Sequence, residues 1–246
     1  MLTERMTYTE MYAEVAKDLP NAHASLQRRG KDFYREALKS RTFPKVWHVM
    51  RYTSPRKNRW LFLVEAPHRN VRKHGILVTM LCTMMTPRGM FVFRPSMKDN
   101  DKATLAVYIP HFFQRYAERN GHDDIGADLV ARYFRNNTGS AVCCVPEGCE
   151  NTDGVNIFAC GDDGVSMGEA LSERMFVYRT FLRYDMAVGW QREAFEKGRA
   201  ARAERQGFIH GNVSSMVSRM GAGVKSHESV YRNEARTNDK KRGKIF

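Results

Sequence analysis

The stretch "YIPHFFQRYAERNGH", residues 108–122, gathers histidine, arginine and glutamate side chains among four aromatic rings. Pro110 suits the first position of a helix, so the sequence predicts a helix over about 110–120. Three of its polar side chains follow each other at i, i+4 spacing and form one stripe: His111, Arg115 and Arg119. Arginine stabilises charge on phosphoryl oxygens, and histidine moves protons near neutral pH. The stripe is therefore a candidate site for metal-independent cleavage of RNA.

Glu118 and His122 fall on or beside the same stripe, and they leave its role open. In a first interpretation the arginines form ordinary surface ion pairs with Glu118, and the helix is only structural. In a second, the cations hold a phosphate without catalysis. In a third, they take part in phosphoryl chemistry. The spacing His-x3-Arg-x3-Arg is compatible with all three interpretations.

The motif "HFFQRYAER", with a helix and strands that end in "YRTF", resembles the small ribonuclease toxins of the RelE type over about 105–183. The resemblance implies that the stripe lies over an antiparallel sheet, with Arg179 or Thr180 on the last strand completing the pocket. The chain departs from that pattern because it is much longer, because helices and strands precede the motif, and because Glu118 adds a carboxylate. It is also similar to proteins carried by bacterial mobile elements.

The elements that must position this stripe alternate between helical and strand periodicity. Apolar spacing predicts two N-terminal helices, Thr7–Leu19 and Pro20–Ser40, because Pro20 suits the first turn of a new helix. The next four segments predict an antiparallel meander: "KVWHVMRY", "RWLFLVEA", "GILVTMLCTMM" and "MFVFRP". Three later segments are also strand-like: "GSAVCCVPEG", "GVNIFACGDDG" and "RMFVYRTFL". "DDIGADLVARYFRNN" predicts a second central helix, and "YDMAVGWQREAFEKGRAARAERQ" a C-terminal helix.

These elements predict an α+β fold: antiparallel sheet or sheets with N-terminal helices, a central helical pair and a C-terminal helix. We expect one mixed domain over 1–205, with a helical N-terminal region over 1–40. Residues 206–246 lack sustained periodicity and predict a basic, mostly mobile tail, which is a natural docking segment for a protein partner.

The net charge of +13 is unevenly distributed along the chain. Residues 1–60 hold 13 basic and 6 acidic side chains, residues 61–191 hold 14 and 15, and residues 192–246 hold 13 and 6. Basic flanks on a balanced middle indicate attraction to a polyanion, with nucleic acid favoured over a membrane. The stripe's RNA-cleaving chemistry and the resemblance to ribonuclease toxins favour RNA over DNA. Basic flanks that serve only solubility are the alternative.

The candidate phosphate contacts are the basic side chains of two loops and of the C-terminal end. They are Arg56, Lys57, Arg59, Arg69, Arg72, Lys73, Lys240, Lys241 and Arg242.

The sequence predicts no cofactor and no metal. It has no phosphate-binding loop, dinucleotide motif or HExxH motif. His122 with four cysteines (Cys143, Cys144, Cys149 and Cys160) matches no common zinc spacing, and a tight turn explains Asp162 and Asp163 better than a divalent cation held with Glu169.

We expect a cytoplasmic protein. The five cysteines, which include Cys82, form an odd set without a disulfide framework. Glu4, Glu10 and Glu14 lie where a signal peptide needs apolar residues, and no apolar run suits a membrane span.

Two functional hypotheses follow. The first is a nucleic-acid-interacting protein that acts as a metal-independent endoribonuclease of toxin type. The alternative is a non-enzymatic nucleic-acid-binding or protein-interaction protein of a phage or mobile element.

Overall fold

A single long helix, α1 (Tyr8–Lys39), opens the fold. Its N-terminus is closed by a capping box in which Thr7 Oγ1 accepts from the Glu10 amide and Glu10 Oε2 accepts from the Thr7 amide. The prediction of two helices divided at Pro20 is wrong, because Pro20 lies inside α1. Proline removes one backbone hydrogen bond, but the buried apolar face continues on both sides of it, through Leu19 and Ala22.

The computed structural model describes residues 1–97, 103–137, 140–149 and 154–203. The predicted tail at 206–246, with Lys240, Lys241 and Arg242, lies outside these residues. None of the described helices is long and apolar enough to cross a membrane.

Ten strands of the described residues form one sheet in the order β1-β3-β4-β5-β6-β10-β9-β8-β7, with β2 also paired to β3. The strands are β1 (Lys45–Val46), β2 (Met50–Thr53), β3 (Arg59–Ala66), β4 (Leu77–Thr86), β5 (Gly89–Met97), β6 (Ala103–Tyr108), β7 (Ala141–Cys144), β8 (Ile157–Cys160), β9 (Val165–Ser172) and β10 (Met175–Leu182).

Two antiparallel meanders meet in the middle of this sheet. The first runs from β3 to β6 and the second from β7 to β10, and β10 pairs with β6 in parallel. Parallel neighbours need a long connection, which here contains α3 (Pro110–Asn120) and α4 (Gly126–Asn136). The predicted α+β class with a mostly antiparallel sheet is confirmed.

Helices cover both faces of the sheet. On β3, Trp60 and Phe62 point to the cluster under α1, whereas Leu61 and Leu63 point to the cluster under α3 and α4. Burial on both faces explains why this strand is a continuous apolar run. A third cluster, which includes Phe195, forms under the C-terminal helix α5, described over 190–203.

Short elements complete the fold. The connection from β3 to β4 contains α2 (Val71–His74), and a 3-10 turn (Tyr184–Met186) links β10 to α5.

Candidate functional site

Helix α3 presents the predicted stripe on its outer face. Pro110 occupies the first turn, and Gly121 ends the helix in the left-handed conformation, with φ of 64°. Phe112, Phe113 and Tyr116 are buried, whereas His111 is exposed and Arg115 and Arg119 are partly exposed on the other side of the helix. The sequence therefore sets the orientation of the stripe through its apolar face.

His111 and Arg115 are in contact, and a carboxylate neutralises the arginine. Arg115 Nε donates to His111 Nε2 over 3.2 Å, and Arg115 Nη1 lies 2.9 Å from Glu118 Oε2. These are the intrahelical neighbours that the spacing predicted. Because Arg115 already has an anionic partner, its attraction for an incoming phosphate is reduced.

Arg119 acts as a link between α3 and the last strand of the sheet. Its Nη1 donates to the carbonyl of Phe181 on β10, and its own carbonyl accepts from Arg183 Nη1 at 3.2 Å. Burial, followed by the nearby charge of Arg115, lowers the pKa of the Arg119 guanidinium. The third cation of the stripe is thus directed at backbone of the protein itself.

Arg179 and Thr180 do not join the stripe. Arg179 Nη2 lies 2.6 Å from Glu169 Oε2, and Thr180 is the cross-strand partner of Met167. Met167 belongs to the cluster under α5, on the face opposite α3, and cross-strand partners share a face. The pairing register shifts between Tyr178 and Thr180, and this irregularity changes which side chains face α3.

Asp162 and Asp163 occupy the turn between β8 and β9, and each ties it to a helix. Asp163 Oδ2 accepts from Tyr116 Oη at 2.6 Å and from Asn136 Nδ2 at 3.1 Å. Asp162 Oδ2 accepts from Arg202 Nη2 at 2.6 Å. Protein donors therefore satisfy both carboxylates, and the sequence reasoning missed these ties because the partners are distant in sequence.

Three of the cysteines weighed as metal ligands, Cys143, Cys149 and Cys160, belong to the cluster under α5, whereas Cys144 is exposed. His122 lines an open pocket of about 380 Å³ with Asp124 and Arg132, and no cysteine lines that pocket. Within the described part of the chain, no group of three or more histidine, cysteine or acidic side chains has the arrangement of a metal site.

The predicted phosphate contacts differ in how far their charge is neutralised. Arg56 donates through Nε and Nη2 to Glu14, at 3.1 and 2.6 Å. Lys57 and Arg59 are exposed at the start of β3. In the loop from β3 to β4, three cations are exposed and form no ion pair with described residues: Arg69, Arg72 and Lys73.

The loop over 67–75 has a defined shape. Asn70 Oδ1 accepts from the Lys73 amide at 3.1 Å and caps α2, while the fully buried side chain of Val71 anchors the loop in the core under α1. Gly75, with φ of 76°, adopts a backbone conformation that favours glycine and returns the chain to β4. The basic side chains on this loop therefore extend from an ordered backbone.

The C-terminal end of α1 lies beside this loop. Glu36 accepts from Trp47 Nε1 at 2.6 Å and forms an ion pair of 2.8 Å with Lys45 Nζ. Lys45 is the strand partner of Ala66, the last residue before the loop, and α1 contacts α2. Lys39 and Arg41, both exposed, lie three and five residues after Glu36 and extend the same basic region.

Two acidic side chains of residues 1–97, the part of the fold that we call the α1 half, are withdrawn into the core. Asp18 is fully buried and accepts from Ser54 Oγ, Asn58 Nδ2 and Trp60 Nε1 at 2.7 to 2.9 Å. Glu14 is also buried, and its hydrogen bond with Arg56 lowers the pKa of its carboxyl to about 2. Glu14 pairs with Arg56 and the N-terminal amine, and Asp18 accepts from neutral donors, so neither carboxylate is exposed to pair with the other surface cations.

Basic and acidic side chains are distributed unevenly between the two halves of the fold. Residues 1–97, which build α1 and β1–β5, hold 18 basic and 7 acidic side chains. The other described residues (103–137, 140–149 and 154–203) hold 11 basic and 12 acidic side chains. Positive charge is concentrated in one half of the described molecule.

No family model, curated protein or solved structure matches this chain.

Proposed function

We propose that the protein binds nucleic acid, RNA in the first place, through contacts between its α1 half and the phosphate backbone. The observation that carries the proposal is the excess of basic over acidic side chains in residues 1–97, together with the internal use of Glu14 and Asp18. Uncompensated surface cations attract a polyanion and release its counterions on binding. The contact reads charge and shape, so we expect little preference for sequence.

The cytoplasm is the compartment that this proposal favours. All five cysteines are free thiols in the structure, an arrangement that suits a reducing environment. Cytoplasmic RNA is then available to the protein.

The salt dependence of binding tests the proposal. Fluorescence anisotropy with a labelled RNA of about 20 nucleotides should give an affinity that falls steeply between about 50 and 200 mM salt, with a log–log slope of about −0.7 for each phosphate contacted on a single strand. An unrelated RNA of the same length should bind within a few-fold. Absence of saturable binding at the lowest salt overturns the proposal.

Metal-independent cleavage of RNA is a second candidate, and the contact between His111 and Arg115 on an exposed helix face favours it. In this mechanism the imidazole takes the proton of a 2′-hydroxyl, whose oxygen bonds to phosphorus while the bond from phosphorus to the 5′ oxygen breaks, and the leaving oxygen takes up a proton. The guanidinium faces the phosphoryl oxygens and stabilises their charge. Glu118 opposes it, because the carboxylate already pairs with Arg115.

Incubation of RNA with the protein in EDTA tests cleavage. The expected products carry 2′,3′-cyclic phosphate ends, and His111→Ala should lower their rate by about 10²-fold or more. Gln114→Ala, on the exposed face of the same helix, is the control and should keep the rate. Intact RNA at high protein concentration removes the enzymatic candidate and leaves binding.

A further inference from the structure

We infer that the nucleic acid contacts one end of the α1 half, where α1 terminates beside the loop from β3 to β4. This inference rests on the proposed function and specifies its surface. We call this surface the cationic end and define it by five exposed side chains: Lys39, Arg41, Arg69, Arg72 and Lys73.

The cationic end carries positive charge without nearby compensation from its own segments. Residues 37–45 and 67–75 contain no aspartate or glutamate. Glu36, just before the first segment, is occupied by Lys45 and Trp47, and Glu65, two residues before the second, is half-buried on β3. None of the five cations forms an ion pair with described residues, so each remains available for a phosphate partner.

The backbone that bears these cations is fixed before any ligand arrives. Val71 anchors the loop in the core, and the ring of Phe33 on α1 packs edge-on against Trp47 beside β1, with 5.1 Å between ring centroids. A preformed surface needs less ordering on binding than a mobile loop does. The cationic end thus combines charge with a defined shape.

The opposite end of the α1 half, where β3 begins and β4 ends, is the far end, and it is less suited to binding a polyanion. Arg56 is neutralised by Glu14, and the chain there also carries Glu10 on the first turn of α1. Strand β3 has eight residues and β4 has ten, so the far end lies about 26 to 33 Å from the loop. Lys17, whose neighbour Asp18 bonds Ser54 and Trp60, and Arg88 are exposed at that far end and provide a control pair of equal charge.

Two double variants of the full chain test the inference: Arg72→Ala with Lys73→Ala, and Arg88→Ala with Lys17→Ala. Their affinities are measured by anisotropy with the same RNA at about 100 mM salt. The loop variant should bind about tenfold more weakly or worse, and its salt slope should fall by about one to two. The far-end variant should bind within about twofold of the unchanged chain. All four side chains are exposed, so circular dichroism should show unaltered folding.

The outcomes separate the two proposals. Equal losses in both variants, or a larger loss in the far-end variant, overturn the cationic end and leave nucleic-acid binding in place. Failure of the unchanged chain to bind RNA overturns the proposed function as well. A parallel titration with phosphatidylserine vesicles should show weaker binding than RNA. Vesicle binding that is tighter than RNA binding and is lost in the loop variant assigns this surface to a lipid headgroup and overturns the inference.

Discussion

Arginine side chains in this protein fall into two groups according to what their guanidinium groups contact. Arg56, Arg115 and Arg202 face carboxylates, and Arg119 faces a backbone carbonyl. The arginines of the 67–75 loop have no such partner among the described residues. Residue type alone does not separate these groups, since the partner determines whether a cation stabilises the fold or remains available for a ligand.

Glu14 gives a pH-dependent prediction at the residue scale. Its carboxyl has a folded-state pKa of about 2 against an ordinary value of 4.5, chiefly because Arg56 hydrogen-bonds to it. A depressed carboxyl pKa contributes stability above the unfolded-state value, and this stability is lost as the pH falls through the folded-state value. Glu14→Gln should therefore lower the free energy of unfolding by on the order of 3 kcal/mol at pH 7, and the difference should shrink between about pH 5 and pH 2.

Urea denaturation at several pH values measures this difference. Glu118→Gln is the control, because Glu118 is exposed and its loss should cost at most about 1 kcal/mol at any pH. A Glu14→Gln deficit that stays constant from neutral to acidic pH contradicts the assignment.

Individual site residues differ in how far the sequence could place them. Helical spacing predicted that His111 and Arg115 are neighbours, and they are in contact. The partner of Arg119 is a carbonyl 62 residues further along the chain, which no local pattern indicates. Thr180 was expected near the stripe, but the irregular pairing in β10 puts it opposite Met167. Local periodicity sets the face of a helix, whereas partners across the fold depend on tertiary packing.

At the element scale, strands with a continuous apolar sequence were predictable. A strand that depends on hydrogen bonds to its neighbours, without a strand-like sequence of its own, was not. β3 follows directly from "RWLFLVEA" because both of its faces are buried. β9 was not predicted, because "VSMGEALS" is rich in small residues. Gly168 explains part of this composition: a Cβ there would lie 2.0 Å from the Val177 carbonyl oxygen on β10. β9 exists because β8 and β10 hydrogen-bond to its two edges.

Helix α1 gives a stability prediction at the same scale. Pro20 is exposed inside the helix, where its ring prevents one backbone hydrogen bond. Pro20→Ala should restore the hydrogen bond to the Ala16 carbonyl and raise the free energy of unfolding by about 1 to 3 kcal/mol. The upper value is the difference in helix propensity between proline and alanine in a helix interior, about 3 kcal/mol.

Thermal denaturation compares this variant with Gln27→Ala, which changes helix propensity at an exposed position of α1 and should add at most about 0.7 kcal/mol. Equal stability of Pro20→Ala and the unchanged chain would show that α1 bends to accommodate the ring without cost.

At the scale of the whole molecule, the fold concentrates basic side chains in the half built by α1 and β1–β5. The sequence places a basic flank over 1–60, and the structure joins that flank to β4 and β5 so that one half carries 18 basic side chains against 7 acidic ones. Burial of Glu14 and Asp18 removes two of those acidic groups from the surface. The excess of positive charge over 1–97 is present in the sequence, and the packing of α1 on the first meander gathers it in one part of the fold.

Lysine footprinting with and without RNA tests most directly the claim that RNA binds at the cationic end. It reports both binding and the location of binding in one measurement on the unchanged chain. Lys39 and Lys73 belong to the cationic end, whereas Lys17 and Lys57 are exposed elsewhere in the same half. Saturating RNA should slow acetylation of Lys39 and Lys73 by about tenfold and leave Lys17 and Lys57 within about twofold of their free rates, since phosphate contacts shield only the cations they cover. Unchanged acetylation at all four lysines, or protection centred on Lys57, would contradict the account.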